Sequence, residues 1–458
     1  MSLPDSLAHH LATRFGDRFS RAAVLCEQHG KGEGFYPPAP PDAVVFAQST
    51  EEVSAIVKAC AAEGVPIIPF GAGTSLEGHV AALKGGVCVD LSLMTGIVSV
   101  APEDMQATVE PGVTRKQLNA YLRDTGLFFP VDPGAESTLG GMAATRASGT
   151  STVRYGSMRD NIVALEVVLA DGSIIRTASR AAKSSAGYDL TRLFTGSEGT
   201  LGIITRLTLK LHGIPEAVTS AVAAFPSVAA AVETVTATLQ AGLPLARVEF
   251  LDEAVMEAVN RFTGLSYRAA PTLFFELHGA PMAIQSQAED LEAIALDLGG
   301  QDFRWTADAE EGNALWAARH KAFYAISSMH PGRQVLSMDS CVPRSRLSEC
   351  ILAAEADIAA SSFRGGVVGH VGDGNFHVAV LVDPSDPEQM AEAEAINDRI
   401  TRRAIAAGGT CTGEHGIGYG RIDFLAEEMG GAVGVMLKIK QALDPQGLFN
   451  PGKLFRAP

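Results

Sequence analysis

His370-Val371-Gly372-Asp373-Gly374-Asn375-Phe376-His377 sets two imidazoles on either side of an Asp-Gly pair. Asp-Gly is a strong short hairpin signal, and a two-residue turn there puts His370 directly opposite His377. Cross-strand partners hold their Cβ atoms about 4.5–5.5 Å apart on one face, near enough for both rings to share an ion. The plain alternative is two histidines with ordinary partners flanking a turn. Thr412-Gly413-Glu414-His415-Gly416-Ile417-Gly418 adds a carboxylate and a further imidazole in a loop with little side-chain bulk. Two histidines and one carboxylate form a common Zn²⁺ donor set that leaves coordination positions open for substrate. Mn²⁺ and Fe²⁺ stay open as well, because imidazole and carboxylate discriminate weakly among divalent cations.

Upstream, three glycine-rich loops offer bare backbone in place of side chains. In Pro69-Phe70-Gly71-Ala72-Gly73-Thr74-Ser75-Leu76-Glu77-Gly78-His79, the glycines bring N–H groups close to a ligand, and the Thr74 and Ser75 hydroxyls lie beside them. That chemistry suits a diphosphate, although this loop alone reads equally well as a tight strand turn. It is not a GxGxxG that opens a helix, and no Gly-Lys-Ser/Thr follows, so Rossmann and P-loop readings both fail. The second loop is Val131-Asp132-Pro133-Gly134-Ala135-Glu136-Ser137-Thr138-Leu139-Gly140-Gly141-Met142-Ala143-Ala144, running on to Ser148-Gly149 and Arg154-Tyr155-Gly156. The third is Gly196-Ser197-Glu198-Gly199-Thr200-Leu201-Gly202-Ile203-Ile204. Three loops of this kind imply that something large and flat lies against the backbone.

The elements that must position these loops are legible in outline. Thr50-Glu51-Glu52-Val53 followed by Ile56, Val57 and Ala61 predicts an amphipathic helix capped by Ser49 or Thr50. Short β-branched runs at Val65–Pro69, Val87–Leu91, Ile97–Val100, Ala107–Val109, Ile162–Leu169, Ile174–Thr177 and Ile203–Leu209 read as strands. Asp171-Gly172 marks a hairpin between two of them. After Gly213-Ile214-Pro215 the composition shifts: alanine-rich helices at 227–241 and 281–298 alternate with strands at Arg247–Leu251 and Thr272–Leu277. That pattern predicts a second, α+β domain. The tail returns to glycine-rich loops and carries one helix over Ala432–Leu443.

Composition narrows the field. The chain has 458 residues, 47% apolar and 19% charged, which is enough for large buried cores and argues against general disorder. Lys plus Arg total 36 against 52 Asp plus Glu, a formal charge of −16. Nucleic acid and anionic lipid are therefore poor partners, and an anionic substrate requires a local positive group. Six scattered cysteines without a CxxC pair read as a reduced, intracellular chain. The N-terminal residues lack the apolar core of a signal peptide, and no stretch is long and apolar enough to span a bilayer. Cytoplasmic placement is expected, with any contact to the inner membrane peripheral.

PFGAGTSLEGH, DPGAESTLGGMAATRASG and GSEGTLGIIT resemble the flavin-contacting segments of the vanillyl-alcohol-oxidase-type FAD-binding fold. HVGDGNFH, GEHGIG and DPQGLFNPGKLF are similar to the FAD-linked D-2-hydroxyacid dehydrogenases, the group holding D-lactate dehydrogenase and the glycolate oxidase flavin subunit. The resemblance runs over nearly the whole chain. It implies an α+β fold, with a two-subdomain vanillyl-alcohol-oxidase/PCMH-type FAD-binding domain and an α+β substrate (cap) domain built on an antiparallel sheet. The expected boundaries are 1–215 for the FAD domain, 216–408 for the cap, and 409–458 for a tail returning to the FAD domain.

The resemblance also implies site residues. FAD, bound non-covalently as the LEGH form indicates, would rest on Pro69, Gly71, Ala72, Gly73, Thr74, Ser75 and Gly78 of the first loop. Pro133, Gly134, Ser137, Gly140, Gly141, Ala144, Ser148, Gly149 and Tyr155 would contribute from the second, Glu198, Gly199 and Ile203 from the third, and Asn450 from the tail. His370, His377 and Glu414 would ligate the metal, with Zn²⁺ first and Mn²⁺ or Fe²⁺ open, and His415 would be the general base. Leu315-Trp316-Ala317-Ala318-Arg319-His320-Lys321 resembles the family's substrate segment, in which the arginine pairs with the substrate carboxylate. A guanidinium fork suits that bidentate contact. Members acting on larger dicarboxylates tend to carry lysine near Ser337 and asparagine near Ala379, so these small neutral residues point to a small monocarboxylate.

The implied reaction oxidises a small D-2-hydroxyacid, D-lactate first, to the 2-oxoacid. The metal lowers the hydroxyl pKa, His415 takes the proton, hydride goes to flavin N5, and the electrons pass to an acceptor other than NAD. That acceptor could be a quinone, a cytochrome or an electron-transfer flavoprotein, and a homodimer is compatible. The alternatives are a glycolate oxidase flavin subunit, a D-2-hydroxyglutarate dehydrogenase, and a flavin- or metal-binding protein without turnover.

Overall fold

Ser49 accepts a hydrogen bond from the Glu52 amide and caps a helix over Thr50–Glu63, which ends at Gly64 in left-handed backbone. Of the two candidate caps, Ser49 is the one used. Val53, Ile56, Val57 and Cys60 recur at helical spacing and are buried in one core with Val45, Ile67, Val87 and Val89. The computed structural model describes residues 3–456. Two compact units emerge. The first holds the chain up to Gly149, Gly156–Ile214 and the chain from Glu414 on; the second holds Thr150–Tyr155 and Pro215–Gly413.

The first unit contains two main sheets. In one, Ala43–Phe46 and Ile67–Phe70 flank Val87–Asp90 in parallel, with Phe19–Ser20 antiparallel at the edge. The other is antiparallel, in the order Ile97–Ala101, Gln106–Val109, Ile203–Lys210, Ile162–Val168 and Ile174–Arg176. Leu139 and Met142, from a short helix over Leu139–Thr145, share its core with Ile439 and Leu443 of the tail helix Gly431–Leu443.

The tail is anchored to the first sheet through its backbone: Ile67 N–H donates to Leu448 O at 2.8 Å, and Asn450 N–H donates to Ile67 O at 2.8 Å. Phe449 between them is fully buried in the core around Ile67. Replacing a buried phenylalanine by alanine removes its transfer energy and leaves a cavity. Phe449→Ala is therefore expected to cost about 3–5 kcal/mol in urea unfolding. Val435→Ala, on the exposed side of the tail helix, should stay within about 0.5 kcal/mol.

In the second unit, seven strands form one antiparallel sheet in the order Gln301–Thr306, Ala217–Ala224, Thr272–Gly279, Leu245–Leu251, Gly365–His370, Asn375–Val382 and Gln334–Cys341. Helices Val228–Gln240 and Pro281–Asp297 fall where alanine-rich periodicity predicts them. All six cysteines are free thiols. Among the described residues, no helix is long and apolar enough to cross a membrane.

Both Asp-Gly hairpins depart from the two-residue turn. At 169–173, Leu169 and Ser173 close the hairpin, so the loop is Ala170-Asp171-Gly172. At 370–375, His370 pairs with Asn375 and the loop is Val371-Gly372-Asp373-Gly374. In each case the glycine holds the closing left-handed position, φ +75° at Gly172 and +83° at Gly374, instead of the second place in a tight turn. His377 consequently pairs with Val368 on one side and Asp339 on the other, not with His370.

Candidate active site

Fourteen of the residues assigned to the cofactor wall one cleft of the first unit, about 1120 Å³ of empty space partly open to solvent. They are Pro69, Gly71, Ala72, Gly73, Thr74 and Ser75 of the first loop; Pro133, Ser137, Gly141, Ala144 and Ser148 of the second; Glu198 and Gly199 of the third; and Asn450 of the tail. Gly140 and Ile203 line an adjoining cavity that shares Pro69, Gly71, Gly141, Ala144 and Gly199. Thr74 Oγ1 and Ser137 Oγ, 2.9 Å apart, tie the first two loops together. Gly73 sits at φ +72° with the Thr74 and Ser75 hydroxyls following, so this stretch of the wall is backbone and small polar groups, while Leu76, Val80 and Met142 add apolar surface. A long, flat, phosphate-bearing cofactor fits that lining.

The remaining assignments lie elsewhere. A Cβ on Gly78 would meet Tyr419 Cε1 at 2.3 Å, and one on Gly149 would fall 1.7 Å from Asp132 O, so both glycines are needed for close packing of the chain on itself. Gly134, at φ +81°, has open space where a Cβ would be. Tyr155 belongs to the second unit, where its hydroxyl lies 2.7 Å from His278 Nδ1, and His278 Nε2 lies 2.8 Å from Glu276 Oε1. Burial raises the Tyr155 phenol above its ordinary value.

Glu198 is buried with φ +52°, and its carboxylate accepts from the Ile417 and Gly418 amides, both at 2.8 Å. His79 Nε2 lies 3.0 Å from Glu198 Oε2. Burial alone would push this carboxyl up, but His79 and the two amides outweigh it and hold the group below the ordinary range. Its stabilising effect is thus full above the ordinary carboxyl value of about 4.3 and is lost as pH falls through the lowered value. Glu198→Gln turns an NH₂ toward one amide donor, an expected loss of about 1–3 kcal/mol near neutrality. Unfolding followed from pH 6 down to 3 should show a shallower acid slope in the variant than in the parent.

The tail closes this region through Lys453. Its Nζ donates to His79 O at 3.0 Å, Ala81 O at 2.6 Å and Asn450 Oδ1 at 2.8 Å, and burial pushes the ammonium down to about 7. Asn450 Nδ2 in turn donates to Glu198 O at 2.8 Å.

Glu414 and His415 line the same cleft. Ser148 Oγ donates to Glu414 Oε2 at 2.8 Å. His415 Nδ1 lies 3.9 Å from Glu77 Oε1, and Glu77 is held by Tyr36 Oη and Arg421 Nε, each donating at 2.8 Å.

The second unit carries a polar row on one face of its sheet. The His370 and His377 rings lie 5.4 Å apart, edge to face at 84°. Their strands are registered so that His370 and His377 are diagonal neighbours on the same face. His370 Nδ1 lies 2.6 Å from Glu249 Oε1, and His377 Nδ1 lies 3.6 Å from Asp339 Oδ1. A histidine whose Nδ1 faces a carboxylate presents Nε2 to a metal, so the donor chemistry fits a divalent cation. Asp339, fully buried, also accepts from Asn375 Nδ2 at 2.7 Å, Thr412 Oγ1 at 2.7 Å and the Gly413 amide at 2.8 Å. Gly413 is the last residue of this unit, and Glu414 follows it in the chain.

Arg319, near the end of the helix Ala309–His320, donates from Nε to Glu249 Oε2 at 2.9 Å, with Nη2 at 2.6 Å from the same oxygen. Burial would raise the Glu249 carboxyl, but His370 and Arg319 overcome this and hold it low. Ser337 and Ala379 are direct cross-strand partners, one same-face step along from Asp339 and His377. Glu249, Asp339 and Glu77 were not among the residues singled out by sequence. A lone acid in a strand as apolar as Arg247-Val248-Glu249-Phe250-Leu251 is the signal that could have found Glu249, because buried acids are rarely without a partner.

Two helix-and-sheet units, one with a glycine-walled cleft, match the architecture expected of a flavin-binding protein of the vanillyl-alcohol-oxidase/PCMH type. Residues 41–178 match an FAD binding domain, and residues 214–454 match the C-terminal domain of FAD linked oxidases. A probable mitochondrial D-lactate dehydrogenase of Danio rerio is 54% identical over 439 residues, covering 95% of this chain and 88% of that protein. A mitochondrial D-lactate dehydrogenase (cytochrome) of Arabidopsis thaliana is 45% identical over 455 residues, covering 99% of this chain and 80% of that protein. The solved structure of p-cresol methylhydroxylase with substrate bound has a TM-score of 0.83 at 18% identity, over 99% of this chain and 97% of that one. At that identity the likeness concerns the fold alone. The chain belongs to the FAD-linked D-2-hydroxyacid dehydrogenase family and is a flavoenzyme.

Proposed function

We propose that this flavoenzyme oxidises a small D-2-hydroxymonocarboxylate, D-lactate first, and that it does so with a divalent metal. The metal's protein donors are His370, His377 and Glu414, with Zn²⁺ favoured and Mn²⁺ or Fe²⁺ open. One observation carries the metal reading: two imidazoles 5.4 Å apart on one sheet face, with Nδ1 of each toward a buried carboxylate. The third donor follows in the chain from Gly413, whose amide is held by Asp339. When bound, FAD supplies a two-electron acceptor and the cation supplies positive charge beside the substrate oxygen.

The chain's own residues do the rest. Arg319 binds the substrate carboxylate through its guanidinium fork. His415 takes the hydroxyl proton, with Glu77 on its Nδ1 side favouring the positive charge that results. Ser148 orients Glu414 by its hydrogen bond. Ser337 and Ala379, side by side and uncharged, offer no positive charge to a second carboxylate, which favours a monocarboxylate over 2-hydroxyglutarate. The Arabidopsis relative's name includes a cytochrome, and a cytochrome is the acceptor we favour over a quinone or an electron-transfer flavoprotein.

Anaerobic mixing with a panel of 2-hydroxyacids tests this reading. D-lactate should bleach the flavin absorbance, whereas L-lactate and D-2-hydroxyglutarate should not. Faster bleaching by glycolate would move the protein to the glycolate oxidase reading. Absence of bleaching by every 2-hydroxyacid would remove the enzyme assignment of the site.

A further inference from the structure

Glu249 lies in the middle of the strand Leu245–Leu251 with no exposed surface, on a strand whose other residues are mostly apolar. A buried carboxylate of this kind is tolerated only with close partners. It has two, one on each oxygen: His370 Nδ1 at 2.6 Å from Oε1, and Arg319 on Oε2 through Nε at 2.9 Å and Nη2 at 2.6 Å. We propose that Glu249 is a positioning residue whose single carboxylate, shared between the metal ligand His370 and the substrate-binding Arg319, couples metal binding to binding of the substrate carboxylate. This inference rests on the functional reading above, because it takes from that reading the roles of His370 and Arg319.

The coupling follows from the chemistry of a shared acceptor. With Nδ1–H donated to Glu249, His370 has its lone pair on Nε2, the nitrogen that would face a cation. A cation held by His370 would make Nδ1–H a stronger donor and draw the carboxylate toward the imidazole. The hold of Glu249 on Arg319 would then weaken, and more of the guanidinium charge would be available to an incoming carboxylate. Arg319 has a second hydrogen-bonding edge for that purpose, since Glu249 occupies the Nε–Nη2 side. The reverse holds by linkage: a carboxylate on Arg319 releases Glu249 toward His370, raises the basicity of that imidazole and tightens the metal.

Propionate isolates this effect, because it carries the carboxylate of the substrate but no 2-hydroxyl to reach a metal. Zn²⁺ affinity of the metal-stripped, FAD-loaded protein is measured by chelator competition with and without saturating propionate. In the parent, propionate should tighten Zn²⁺ by about fivefold or more, the lower end of ordinary coupling between sites. Glu249→Gln should weaken Zn²⁺ by about 10–100-fold, as loss of a ligand's outer partner does, and should abolish the propionate effect. Its KM for D-lactate should rise more than its kcat falls at saturating Zn²⁺, and Glu249→Asp, which keeps the charge, should recover part of both affinities.

A parent that binds Zn²⁺ and is reduced by D-lactate, yet whose Zn²⁺ affinity ignores propionate, overturns the coupling and leaves the functional reading intact. So does a Glu249→Gln protein that matches the parent in Zn²⁺ affinity and in the propionate effect. A parent that binds neither Zn²⁺ nor D-lactate overturns both. If Glu249→Gln does not fold, the propionate measurement on the parent alone still decides.

Discussion

Replacing His415 with asparagine is expected to lower turnover by about 10²- to 10⁴-fold, the usual contribution of a positioned general base and the role proposed for this residue, while the protein remains yellow. The flavin should be retained because the cleft is walled mainly by backbone and small residues of the three loops. Asparagine keeps polarity and approximate size but cannot accept the proton. The loss should appear in the rate of flavin reduction under anaerobic single turnover, with little change in the D-lactate concentration that half-saturates it. Glu77→Gln should reproduce a smaller part of the defect, since its carboxylate lies 3.9 Å from His415 Nδ1 and is fixed by Tyr36 and Arg421. Reduction of His415→Asn at the parent's rate would transfer the base role to another group.

His370→Ala is the second large effect expected. Loss of an outer partner alone commonly costs about 10–100-fold in metal affinity, so loss of a residue proposed as a ligand should cost at least the upper end of that range. Because His370 sits in the second unit, outside the lining of the flavin cleft, the FAD-to-protein ratio should match the parent. Glu249 would keep Arg319 as its partner, which limits the damage to folding. The expected phenotype is a folded, yellow, metal-poor protein that D-lactate does not bleach, read by metal analysis and by absorbance. Full metal content in this variant would remove His370 from the donor set.

How much of this was legible beforehand depends on the kind of signal. The glycine loops were readable because a run such as Gly71-Ala72-Gly73-Thr74-Ser75 has no bulk to fill a core and must be facing something. Strands were readable from β-branched runs, and the helix at Thr50–Glu63 from its cap and its spacing. At 370–377 the register differs from the two-residue turn that Asp-Gly predicts: His370 pairs with Asn375, two residues short of His377. A shift of two preserves the face on which a side chain lies, whereas a shift of one reverses it. The two rings therefore still meet, diagonally instead of directly.

Glu249, Asp339 and Glu77 are hard to read from sequence for a common reason. Each acts through partners distant in sequence: Arg319 and His370 for Glu249, Asn375 and Thr412 for Asp339, Tyr36 and Arg421 for Glu77. Local periodicity cannot reveal such pairings, because the sheet register and the fold decide them. Tyr155, expected at the cofactor from the end of the second loop, belongs to the second unit, and its hydroxyl lies 2.7 Å from His278 Nδ1 there, a pairing that sequence does not show.

Metal depletion of the unmodified flavoprotein is the most direct trial of the whole account. After chelation and removal of the chelator, anaerobic D-lactate should leave the yellow absorbance intact. Adding about one equivalent of Zn²⁺ or Mn²⁺ per flavin should restore bleaching in the same cuvette, as expected of a cation that activates the alcohol. Bleaching of the depleted protein at the untreated rate would contradict a metal-assisted dehydrogenation.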